Sequence, residues 1–79
     1  MFLILRRLRV VRYNGGYVTQ IRVRLTWYSV DLTNRYMVYP QPLVPIECVA
    51  STPFIAYKCL ASIKLELIEE QREREMYND

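Results

Sequence analysis

Arginine is the residue type with most chemistry to offer in the first third of this chain. Arg6, Arg7, Arg9 and Arg12 precede the tripeptide Asn14-Gly15-Gly16, and Arg22 and Arg24 follow it, interleaved with apolar residues and with Tyr13, Tyr17 and Tyr28. Strand alternation gathers Arg7, Arg9, Arg22 and Arg24, with Thr26 and Tyr28, onto one sheet face. Like charges set opposite one another on a sheet destabilise it, so such a face invites something to relieve it. Phosphates of nucleic acid are one answer, with tyrosines as stacking platforms. An arginine-rich protein interface is another, and a solvated face whose long stems cover apolar surface is the third. No RNP, KH or zinc-finger spacing selects among them.

Other chemistry is sparse. The chain has no histidine, no Gly-rich phosphate loop and no G-x-S-x-G, so the usual general bases, metal ligands and nucleophile settings are missing. Asp31 and Glu47 are isolated in sequence. Arg22, Tyr28 and Glu47 are a set that a small ribonuclease would manage with, but nothing singles them out. Cys48 and Cys59 form neither a CxxC pair nor a zinc spacing, and they read as reduced, buried thiols. The sequence thus points away from an enzyme, and no cofactor or metal is expected.

The elements that position these residues begin with a β-hairpin over residues 1–30. Asn-Gly-Gly supplies the positive φ angles of a tight turn. A two-residue loop pairs Leu8 with Ile21 and Arg7 with Arg22, and a four-residue loop pairs Val10 with Ile21 and Arg9 with Arg22. Either register puts Ile4, Leu8, Val10, Ile21, Val23, Leu25 and Trp27 on one face, while Arg6 and Arg12 break the pattern of the first strand and suggest a bulge or an edge. Asp31-Leu-Thr-Asn34 reads as a turn, and Arg35 to Tyr39 as a strand stopped by Pro40. After an extended proline-rich connection, Ile46 to Ala50 reads as a short strand with Ile46 and Cys48 on one side.

Ser51-Thr52-Pro53 marks a helix start, with Thr52 as cap and Pro53 at the first helical position. A helix over residues 53–76 follows, with Ala56, Leu60, Ile63 and Leu67 on one face beside Cys59. A second stripe of Ala61, Leu65 and Ile68 widens the apolar arc beyond what one sheet face covers, with Phe54 and Ile55 as edges. It reads as a partner-binding surface. Residues 69–75 are charged all round, held helical in part by Glu69 with Arg72 and Glu70 with Arg74. They read as a solvated helix end or as an acidic tail that seeks a basic surface, such as the arginine face of a neighbouring copy.

The expected fold is therefore α+β in one domain, an antiparallel sheet of three or four strands with one long C-terminal helix packed on one face. With 79 residues the chain has room for one modest core and buries only about 60% of the surface its unfolded form exposes. Yet 52% of its residues are hydrophobic, so some apolar area stays open unless a partner covers it. Charge divides along the chain, with seven arginines against one aspartate in residues 1–40 and four cations against seven acids in residues 41–79. Such asymmetry suggests nucleic-acid or membrane contact, or two complementary surfaces. No apolar run approaches the length of a membrane helix, and arginines follow the apolar start rather than precede it as in a signal peptide. The sequence predicts an intracellular, cytoplasmic interaction protein with a protein partner or copies of itself. An accessory or assembly subunit or an inhibitor fits, of the kind frequent among small viral and phage products. Nucleic-acid binding through the arginine face is the alternative, and no membrane is involved.

Overall fold

The computed structural model describes residues 7–77, with Tyr77 as backbone alone. The expectations for Ile4 and Arg6 lie outside the described residues. The chain forms β1 (Leu8–Tyr13), β2 (Gly16–Val23), β3 (Thr26–Val30), β4 (Val38–Pro40), a 3₁₀ turn (Ile46–Cys48), β5 (Val49–Ala50) and α1 (Pro53–Tyr77). The strands make one antiparallel sheet in the order β1-β2-β3-β4, and β5 pairs with the start of β2. The α+β arrangement read from the sequence is thus the fold.

Asn14 and Gly15 form the two-residue loop, with φ of 48° and 80°. The register is the first of the two considered, with Leu8 opposite Ile21 and Tyr13 opposite Gly16. Gly16, the first residue of β2, is required for packing: a Cβ there would strike Val49 Cγ1 and come within 2.9 Å of the Ala50 carbonyl oxygen.

The second strand does not run on through Trp27. It ends at Val23, and a second tight turn at Arg24-Leu25 brings β3 back along β2, with Val23 opposite Thr26 and Arg22 opposite Trp27. Arg24 takes a φ of 59°, a left-handed conformation that L side chains rarely adopt. No Gly, Asn or Pro announces this turn, so the alternation of residues 20–28 reads as one strand. The reversal changes the faces. Ile21 and Val23 stay on the helix side, Leu25 sits at the turn 85% exposed, Trp27 moves to the back of the sheet, and Tyr28 joins the helix side.

α1 starts as expected: the Ile55 N–H donates to the Thr52 hydroxyl. Buried Ala56 and Ile63, with half-buried Cys59 and Leu67, lie on the sheet, where Ile63 joins Ile21, Val30, Leu8 and Tyr28 in the core. The Thr19 hydroxyl donates a 2.7 Å bond to the Ala56 carbonyl and ties the first helical turn to the centre of β2. Burial of such a bond strengthens it by removing competing water. The helix runs in the same direction as β2, since Ala56 meets Thr19 and Leu67 borders the Val23 end.

The connection from β3 to β5 is set by Asp31. Its Oδ1 accepts from the Thr33 hydroxyl, the Thr33 N–H and the Asn34 N–H, the turn expected there. The strand that follows is shorter than residues 35–39 and includes Pro40 at the sheet edge, opposite Tyr28. Residues 46–48 are a 3₁₀ turn rather than strand, because Pro45 starts the turn and the Cys48 N–H donates back to the Pro45 carbonyl. Cys48 is buried, but Ile46 faces solvent instead of sharing its side.

Candidate functional site

At about 100° per residue, Phe54, Tyr57, Ala61, Leu65 and Ile68 fall on one stripe of α1, roughly opposite Ala56, Ile63 and Leu67. Phe54 is 73% exposed, Tyr57 57%, Leu65 61% and Met76, the next apolar residue of the stripe, 76%. Ala61 is exposed too, and only Ile68 is half-buried. The helix therefore spends one face on the core and presents a second apolar stripe, interrupted by Arg72, on its outer side. The sheet and the proline-rich connection leave that face uncovered. Ala61, Leu65 and Ile68, the partner-binding candidates, lie together on it; Phe54, Tyr57 and Met76 extend it, and the same periodicity carries them.

The arginine face is only partly assembled. The Arg22 N–H donates to the Arg7 carbonyl, which sets the two arginines across from one another on the back of the sheet. Arg9 shares that side and reaches over β2: its Nε donates to Gln20 Oε1 at 2.8 Å, and its guanidinium sits 3.8 Å from the Trp27 ring centroid. Gln20 in turn donates to the Ser29 hydroxyl, and both are buried. Arg22 Nε donates to the Arg24 carbonyl, and Arg24 itself occupies the turn rather than the face. Tyr28, expected beside these arginines, is on the opposite side of the sheet under the helix, and Trp27 stands in its place. Only Arg35, among the described cations, closes an ion pair, with Glu66 at 2.6 Å.

Two clefts flank the core face of α1. One, of about 240 Å³, is lined by Thr33, Arg35, Ile55, Lys58, Cys59 and Ser62. Its thiol is not activated, because burial pushes Cys59 up from its ordinary value and outweighs the contact with Thr19 and the field of Arg35. Burial holds Cys48 more firmly neutral, pushed up to about 11. The other cleft, of about 230 Å³, lies between Val23, Val30, Val38, Ile63 and Leu67, with the Arg35–Glu66 pair at its mouth. Arg22, Tyr28 and Glu47 do not converge: they occupy the back of the sheet, the helix side and the 3₁₀ turn. Among the described residues, no three of Cys, Asp or Glu gather where a metal ion would sit. No helix among them is long and apolar enough to cross a membrane.

Comparison with family models, curated proteins and solved structures found no match.

Proposed function

We propose that this chain is a small non-enzymatic interaction protein, an accessory or assembly subunit or an inhibitor, that acts by protein–protein binding through the outer face of α1. The observation that carries this reading is the exposure of Phe54, Tyr57, Leu65 and Met76 on one side of a helix whose other side is already in the core. Contiguous apolar surface of this kind on a small domain marks an interaction site, and an amphipathic stripe is a usual way for a helix to dock. The free thiols of Cys48 and Cys59 fit a reducing, intracellular setting.

Gel filtration of an extract from the native source tests it. The wild-type chain elutes above its 9.5 kDa monomer mass, and Leu65→Glu moves it to that mass with its helical circular dichroism intact. Elution of the wild type as a 9.5 kDa monomer refutes the reading.

One observation favours nucleic acid as the second reading: Arg7 and Arg22 lie opposite one another with no carboxylate partner among the described residues, and Arg9 and Trp27 extend the same surface. Affinity for a generic oligonucleotide that falls steeply with salt is its signature.

A further inference from the structure

From the outer face of α1 we infer that its occupant is a second copy of this chain, its helix antiparallel to the first about a two-fold axis close to Leu65. This rests on the reading of that face as an interface and adds the partner and its orientation. Three observations carry it.

The stripe is built for pairing with itself. Positions 54, 57, 61, 65, 68, 72 and 76 follow spacings of three, four and four, twice over; all but Arg72 are apolar, and Phe54, Leu65 and Met76 repeat at intervals of eleven. An eleven-residue period drifts only slightly along a helix, in the sense opposite to a heptad's, and favours a right-handed rather than a left-handed supercoil. The stripe therefore spans the whole of Pro53–Tyr77, and Leu65 is its middle residue. An antiparallel partner centred there sets Phe54 of one copy by Met76 of the other, and Ala61 by Ile68. The small Ala61 lets the two backbones approach.

Charge selects the direction. Residues 53–64 carry Lys58 and Lys64 and no acid, whereas residues 65–77 carry five glutamates and two arginines. A parallel pair would stack the acidic halves on each other, and an antiparallel pair lays each basic half on an acidic one. It also opposes the two helix dipoles.

The flanks supply a specific contact. Lys58 and Glu69 each follow a stripe residue, Tyr57 and Ile68, by one position and so lie on the same edge of the stripe. In an antiparallel pair that edge meets its own copy, which brings Lys58 of each chain to Glu69 of the other. Both side chains are exposed and neither forms an ion pair among the described residues.

Sedimentation of the purified chain with Lys58→Glu, Glu69→Lys and the double reversal tests this. The wild type sediments as a dimer; each single reversal, which replaces two attractions with two repulsions, weakens it by about tenfold. The double reversal and an equimolar mixture of the two single variants both recover it. Circular dichroism confirms that the solvent-exposed changes leave each fold intact. A dimer that weakens with each single change but is not recovered by the double reversal overturns the antiparallel pairing. A wild type that is monomeric at high micromolar concentration overturns self-pairing, and if it nevertheless runs above monomer mass in the native extract the interface reading survives. A dimer indifferent to Leu65→Glu overturns both.

Discussion

Burial pushes both Cys48 and Cys59 toward the neutral thiol, Cys48 to about 11. Cys48 contributes stability that is fully present below its ordinary value of 9.0 and is lost as pH rises toward about 11. In neutral buffer a thiol reagent therefore leaves fully buried Cys48 unmodified, labels half-buried Cys59 slowly, and labels both at once after denaturation. Rapid native labelling of Cys48 would contradict its placement in the core. Asp31 has the opposite sign. Hydrogen bonds from the Thr33 hydroxyl, and then from the Thr33 and Asn34 amides, hold its carboxyl below the ordinary 3.8. Its contribution is present above that value and is lost as pH falls through the lowered one. Asp31→Asn should lower the midpoint of urea unfolding at neutral pH and reduce the loss of stability in acid. Equal midpoints for variant and wild type at every pH would remove Asp31 from the account. Arg24 offers a test of the unannounced turn. Glycine adopts positive φ at no steric cost, so Arg24→Gly should stabilise by roughly 0.5–1 kcal/mol, read from the same unfolding curves.

At the scale of elements, what was legible had strong local chemistry behind it. Asn14-Gly15-Gly16 set the first hairpin and the parity of its register, though not which of the two registers forms; Thr52-Pro53 set the helix start, and the period of Ala56, Ile63 and Leu67 set its buried face. The Arg24-Leu25 turn was not legible, because nothing local favours positive φ at an arginine and the gain from pairing β3 with β2 is a tertiary one. That one reversal relocated Trp27 and Tyr28 and halved the expected arginine face. The charged helix end was legible as helix but not in its contacts: Gln71 donates to Glu75, while the Glu69–Arg72 and Glu70–Arg74 pairs do not close. Opposite faces of α1 should respond differently to truncation. Ile63→Ala leaves a cavity in the core and should cost about 2–4 kcal/mol. At protein concentrations low enough to keep the chain monomeric, Leu65→Ala removes an exposed side chain and should stay within about 0.5 kcal/mol. Comparable losses at both positions in chemical denaturation would mean that the outer stripe is covered within the monomer.

For the whole molecule the question is how so small a chain holds so much apolar surface. One face of the sheet lies under one face of a helix, and the composition exceeds what those two layers bury. Part of the surplus lies on the outer stripe, at Phe54, Tyr57, Leu65 and Met76, and part elsewhere, with Leu25, Tyr36 and Ile46 the most exposed. A photo-crosslinking residue placed at Leu65, in cells of the native source, reads the stripe directly, with Tyr36, exposed in the connection between β3 and β4, as the control. Position 65 should yield one discrete crosslinked product, to a copy of this chain or to another protein, and position 36 should not yield it. No product at position 65, or the same product from both positions, would contradict the claim that the outer face of α1 is where this protein binds.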